Sequence, residues 1–303
     1  MQRILLSLGM IVFVGALAAG ATGAFFNDTE TSTGNTFAAG DIDLQIDNTS
    51  YAIDFNIPGF DLDDATGALV ANPANSWEAA DLTNQKFFDF TDVKPGDYGE
   101  DTISIHVGSN DAWMCAAARV TIDSDEDCTE PENGAIGGEN GACVPGVDAA
   151  TGGELDSNLQ FAFWVDDGDN VFEPVAGQTG APETIFLQGS LADMNAAGQI
   201  ALAQPAGAAA FGNNPVPGNT TVYIGKMWCA GTMTPGVLVQ DGSGVLISPI
   251  TTQGTGFTCD GTAMNNSAQT DKVVGDMEFY ATQSRNNSTF SCAQNYTPTW
   301  AQI

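Results

Sequence analysis

Between Asp41 and Asp47 the apolar residues Ile42, Leu44 and Ile46 alternate with Asp41, Asp43, Gln45 and Asp47. Successive side chains of a strand point to opposite faces, so this period of two predicts a strand with one buried and one wet face. The pattern recurs at 102–107, where Ile103, Ile105 and Val107 share a face. Residues 159–165 are almost wholly apolar and predict a central strand covered on both sides. Residues 222–228, 244–250 and 276–282 are further strands, while weak helical spacing at 77–88 and 191–202 predicts two short helices. With 35 Gly and 13 Pro punctuating these short segments, the predicted class is all-β: an antiparallel sandwich with loop and helix insertions. The insertions fall near 52–90, 123–157 and 175–219, which are acidic, Gly-rich or dense in turn residues.

The N-terminus sets the compartment. Arg3 precedes an uncharged apolar run from Ile4 to about Ala21, followed by Thr22, Gly23 and Ala24. Charge, apolar run and small residues in that order predict a signal peptide over 1–24, leaving Phe25 as the mature terminus. The alternative is an uncleaved anchor, since the run could span a bilayer. Its Gly/Ala-rich second half and the acidic Asp28 and Glu30 that follow argue for cleavage, and no other segment could cross a membrane. The formal net charge of −31 would repel nucleic-acid phosphates, which excludes that class of partner. It suits a solubilising surface first, and sites for divalent cations second.

Six cysteines, Cys115, Cys128, Cys143, Cys229, Cys259 and Cys292, predict disulfides in an exported chain. Zinc is disfavoured, because there is no CxxC pair and a single histidine. Cys128–Cys143 would close an acidic, Gly-rich loop and Cys229–Cys259 a hairpin-like excursion, which leaves Cys115–Cys292 by elimination. Asn-x-Ser/Thr sequons occur at Asn27, Asn48, Asn219, Asn265, Asn286, Asn287 and Asn295. They are glycosylation candidates, though a chain rich in Asn and Thr also produces them by chance.

Three stretches carry a family resemblance. The run from Phe25 to Leu44, with Phe25-Phe26-Asn27-Asp28 at its head and Phe37 before the first strand, resembles the mature start of TasA/camelysin-family proteins. Val93-Lys94-Pro95-Gly96-Asp97 is similar to the family's Pro-Gly-Asp turn, and Gln269-Thr270-Asp271 followed by Glu278–Asn287 to its closing strand. The resemblance implies a jelly-roll-like domain over 41–303. In fibre-forming relatives it also implies an N-terminal segment, here 25–40, that pairs as a strand with the next subunit. Phe25, Phe26, Asn27, Asp28 and Phe37 would then be the assembly residues. An extended, Thr-rich peptide with aromatic anchors can complete an open sheet edge. The alternative makes 25–37 the first strand of its own sandwich.

Asp166-Asp167-Gly168-Asp169-Asn170 is the best metal candidate, with Glu173 in reach of it. Hard oxygens on a Gly turn suit Ca²⁺, but the EF-hand spacing is incomplete, and an acidic turn with nothing bound is the simpler reading. The run Asp123–Asp127 reads as a solvated loop. Calcium is thus the one cofactor the sequence offers. Camelysin relatives have been described as proteases, yet this chain has neither a His-Glu-x-x-His nor a Gly-x-Ser-x-Gly motif. His106, the single histidine, alternates with Ile103, Ile105 and Val107 and should face away from them as an ordinary strand residue.

The expectation is therefore a secreted, non-enzymatic subunit of an extracellular fibre, in a biofilm matrix or pilus-like filament. It would self-associate head to tail, with matrix polysaccharide or a cell surface as the further partner and no membrane contact after signal removal. The alternatives are a monomeric adhesin or Ca²⁺-dependent carbohydrate-binding sandwich and, after it, a secreted hydrolase.

Overall fold

The computed structural model describes residues 42–53, 69–125, 147–148, 153–178, 180–242 and 255–301. The predicted signal peptide, the 25–40 segment with its Phe25, Phe26, Asn27, Asp28 and Phe37, the Cys128–Cys143 pair and the 244–250 strand lie outside the described residues. In chain order the strands are β1 (Leu44–Ala52), β2 (Val70–Ala71), β3 (Trp77–Ala80), β4 (Tyr98–Val107), β5 (Ala112–Asp125), β6 (Val147–Asp148) and β7 (Leu159–Asp166). They continue with β8 (Thr184–Ser190), β9 (Gln199–Ala203), β10 (Thr220–Ala230), β11 (Thr232–Pro235), β12 (Phe257–Asp260) and β13 (Asp271–Gln283). Every pairing among these strands is antiparallel, so the all-β antiparallel class holds.

The first sheet runs β2-β1-β4-β10-β7-β8, with β3 also on β1; the second runs β13-β5-β6, with β9 also on β5. Alternation decides which residues meet between them. Ile46 of β1, Ile103 and Ile105 of β4, Ile224 and Trp228 of β10 and Phe161 and Phe163 of β7 enter one core. Met114 and Ala116 of β5 belong to the same core, and Phe279 of β13 packs against it. Full burial of each large apolar side chain stabilises the fold by about 1.5–3 kcal/mol. Odd residues of β5 and even residues of β13 face the other way. There Tyr280 stacks on Tyr296 with centroids 4.9 Å apart, and Cys115 bonds Cys292 of the C-terminal segment.

The central strand β7 is covered on both sides. Its even residues Ala162 and Trp164 enter a second cluster with Phe172, Met227, Cys229, Met233 and Phe257. The cover on that outer face is the excursion carrying β11 and β12, closed by the Cys229–Cys259 bond. Glu100, Thr102 and Ser104 of β4 share this outer face, because Glu100 pairs with Met227 and Met227 with Ala162. They are consequently buried, although the period of two marks them as a wet face.

Four segments differ from expectation. Asp123, Ser124 and Asp125 end β5 and are buried by the pairing of β5 with its neighbours rather than lying in a solvated loop. Residues 77–88 form strand β3 and a loop rather than a helix. Trp77 pairs with Asn48 and donates its indole N–H to the Ile46 carbonyl at 3.0 Å, while Phe87 is turned into the core. Edge pairing and one buried ring outweigh a weak helical spacing. Residues 191–202 are a helix only over Leu191–Ala197, started by a capping box of Ser190 and Asp193 and followed by Gly198 at φ 68°; β9 follows. The 175–219 segment, expected as an insertion, supplies β8 to the first sheet and β9 to the second.

Candidate functional site

The acidic turn closes strand β7. Asp166 ends the strand and folds its carboxylate over its own turn: Oδ2 accepts from the Gly168 and Asn170 amides at 3.2 and 3.3 Å, and Oδ1 accepts from the Trp164 indole at 3.2 Å. Gly168 has φ +111°, and Asn170 also has a positive φ. Both suit a turn that reverses direction this tightly. Asp169 Oδ1 accepts from the Val171 amide at 2.9 Å.

Folding adds residues that no local pattern marks. Glu183 reaches back across the loop, accepting from the Asp167 amide at 3.0 Å and the Glu173 amide at 2.8 Å. One carboxylate oxygen from each of Asp166, Asp167, Asp169 and Glu183 lies within 4.8 Å of all the others. Asp169, Glu173 and Asp241 form a second, overlapping group, in which Glu173 Oε2 accepts from the Asp241 amide at 3.0 Å. The structure thus brings together Asp166, Asp167 and Asp169, adds Glu183, and places Glu173 with Asp241. Spacing alone could not find Glu183, ten residues from Glu173 and outside any acidic run.

The cluster is buried and charge-rich. Desolvation raises the Asp166 carboxyl to about 7, against opposing hydrogen bonds from the turn. Desolvation, with repulsion from Asp166, raises Asp169 to about 8 and Glu183 to about 9. Glu100 is fully buried, and desolvation followed by repulsion from Asp166, Asp101, Asp169 and Glu183 drives it well above the carboxylate range. Its outward position in the alternation points to solvent, so the sequence conceals its burial.

A second feature lies at the edge of the other sheet. Among the described strands β13 pairs with β5 alone, so the backbone of 273–283 presents an edge with no described strand beside it. That edge borders a cleft of about 1860 Å³ whose walls include the 81–95 loop, Phe161 and Trp228 of the first sheet and Asp271–Phe279 of β13. Phe87, Phe88, Phe90, Met277 and Phe279 make the interior apolar. Four of the chain's seven cationic residues, Lys86, Lys94, Arg119 and Lys272, also line it. Lys86 pairs with Asp89, Lys94 with Asp92 and Arg119 with Asp276. Asp81, Asp89, Asp92, Asp271, Asp276 and Glu278 line it as well, so the charges of the cleft are mixed.

The family model described as camelysin metallo-endopeptidase matches residues 4–61. Residues 4–61 are camelysin-like. No curated protein matches the chain. The camelysin-like segment covers the N-terminal run that carries the resemblance and reaches through β1. Together with two disulfides, the camelysin match fits an extracellular or cell-surface protein.

The camelysin name implies a catalytic metal, and the residues do not fit one of the zinc-peptidase kind. Such sites use histidine or cysteine donors with an open position. His106, the single histidine, sits on the outer face of β4, its Nε2 2.6 Å from Asp47 Oδ2 and its Nδ1 2.9 Å from Thr221 Oγ1. It is in none of the carboxylate clusters. Among the described cysteines, Cys115, Cys229, Cys259 and Cys292 are all in disulfides.

The sequons fall in unequal settings. Asn48 is buried, with its Nδ2 donating to the Asn75 carbonyl at 2.6 Å and to Asp101 at 3.2 Å, which closes it to modification in the folded chain. Asn219, Asn265, Asn286 and Asn295 are exposed and Asn287 half-buried. Asn27 lies outside the described residues.

Proposed function

We propose that the chain is a secreted structural subunit of an extracellular fibre, a jelly-roll-like domain that polymerises head to tail by strand addition. The observation that carries this reading is the edge of β13 beside its apolar cleft. An edge strand this long, next to an apolar cleft, is a liability unless something covers it. The occupant is residues 25–37 of a second copy. They lie within the camelysin-like segment, shortly before β1, and number 13, as many as β13 itself. Their Phe25, Phe26 and Phe37 match an aromatic-lined cleft. Backbone pairing would supply affinity and the rings register.

Deletion of 25–37 tests it. The expected product is folded by circular dichroism and unpolymerised by electron microscopy. A peptide of residues 25–37 should bind it and should block polymerisation of the intact chain. Phe26→Asp should act like the deletion, because placing a charge in an apolar pocket costs several kcal/mol. Filaments that persist after deletion would refute strand addition, and an unfolded product would make 25–37 the domain's own first strand. The likeness to camelysin metallo-endopeptidase favours a second reading, a secreted peptidase. Proteolysis by the pure protein, lost on chelation and restored by zinc, would put that reading first.

A further inference from the structure

We infer that Asp166, Asp167, Asp169 and Glu183 bind one hard divalent cation, of the calcium class, on the outer face of the first sheet. Their carboxylate oxygens already converge within 4.8 Å, about the width of a Ca²⁺ coordination shell with bonds of about 2.4 Å. Clustered acids alone would not indicate a ligand, but two further side chains do. Glu100 is 0% exposed, faces the cluster from β4, and has no hydrogen-bond partner for either oxygen among the described residues. Asn170 is also 0% exposed, and neither its amide oxygen nor its amide nitrogen has a partner.

Leaving such groups buried and unpaired costs about 1–3 kcal/mol each, and more for a charged one. None of Glu100, Asp166, Asp167, Asp169 and Glu183 is in a salt bridge with a described residue. Lys226, the buried cation nearest in the strand order, faces the opposite side of the sheet and is committed to Asp101. A bound cation resolves both problems. It neutralises the four carboxylates and accepts the Asn170 amide oxygen as a ligand type that calcium favours. Its waters can donate to Glu100. All-oxygen donors exclude zinc and copper preference. Carboxylates held by their own backbone turn, without ideal octahedral demands, suit Ca²⁺ over Mg²⁺.

The ion would fasten three sequence-distant parts: the turn after β7, Glu183 before β8, and, through Glu173 and its bond to the Asp241 amide, the excursion closed by Cys229–Cys259. The site is independent of the strand-addition cleft, which lies between the sheets, so either can fail alone.

Terbium tests the site, because Trp164 donates to Asp166 and can sensitise its luminescence. Full-length protein stripped with EDTA should show tryptophan-excited terbium emission that Ca²⁺ displaces and equal Mg²⁺ does not. CaCl₂ should raise its melting temperature. Trp164→Phe should remove the emission yet keep the calcium-dependent melting shift. Glu183→Gln and Asp169→Asn should each weaken Ca²⁺ binding by about tenfold or more, because affinity follows the number of charged ligands, with titration calorimetry giving one strong site in the parent. Equal displacement by Mg²⁺, a calcium effect unchanged in both variants, or no melting shift at all would each overturn the assignment. If both variants fail to fold, unchanged terbium emission from wild type after saturating Ca²⁺ would overturn it on its own.

Discussion

The Lys226 ammonium lies 2.7 Å from the Asp101 carboxylate, and the two side chains are 0% and 1% exposed. This pair sits inside the main core rather than at the surface. Lys226 Nζ also donates to the Phe87 carbonyl at 2.8 Å and lies over the Phe87 and Phe88 rings. Asp101 Oδ1 accepts from Asn48 at 3.2 Å. The pair thereby ties β4, β10 and β1 to the loop that walls the cleft.

Removing one partner should be severe. Lys226→Met leaves a buried carboxylate without its counter-ion and should destabilise the domain by about 3–5 kcal/mol, whereas replacing both partners by apolar residues should cost much less. A double-mutant cycle by chemical denaturation measures the difference. Equal losses in the single and double variants would show that packing, not charge pairing, sets the effect.

The Cys115–Cys292 bond spans 177 residues and Cys229–Cys259 spans 30. Loop-closure entropy grows with loop length, so Cys115→Ala/Cys292→Ala should lose about 4–5 kcal/mol and Cys229→Ala/Cys259→Ala about 3–4 kcal/mol. Thermal melts of the two double variants give the order. A larger loss in the short-loop variant would point to the hairpin excursion as the more fragile cover.

Asp271 pairs directly across the ladder with Asp125. Its Oδ2 accepts from the Glu154 and Leu155 amides, yet desolvation, with the neighbouring Asp125 carboxylate adding to it, raises its carboxyl to about 7. An acid raised on folding binds more protons folded than unfolded, so its contribution is full below about pH 4 and is lost as pH rises through about 7. Melting temperature in EDTA should fall across that window, and Asp271→Asn should flatten the fall. An unchanged slope would assign it to other carboxyls.

Gly225 lies under Trp164, where an added Cβ would come within 2.0 Å of the indole. Gly225→Ala should displace the ring, destabilise the domain by about 1–3 kcal/mol and increase tryptophan exposure. Acrylamide quenching of fluorescence reads it, and unaltered quenching would mean the strand shifts instead of the ring.

A chain of net charge −31 repels its own copies. If assembly is head to tail, filament growth followed by light scattering should be slow near 0.01 M salt, where the screening length is about 30 Å. It should quicken near 0.15 M, where that length is about 8 Å. Growth independent of salt would show that long-range repulsion does not limit assembly.

Much was legible in the residues themselves. Period-two alternation marked β1 and β4, a nearly continuous apolar run marked β7, and the segments of β10 and β13 stood out as further strands, because a strand's side-chain geometry is local. The turn at Asp166–Asn170 was legible as a concentration of acids on a glycine for the same reason. What tertiary structure alone decided is which distant groups meet. Glu183 and Glu100 join the acidic turn only because β4, β10 and β7 are neighbours and the β11–β12 excursion covers their outer face. That cover turned an alternation that reads as solvent-facing into burial. The sheet edge at β13 likewise follows from strand order, which depends on pairings more than 140 residues apart in sequence. Side-chain periodicity fixes the face a residue takes, but the energy of burying that face depends on what the rest of the chain lays against it.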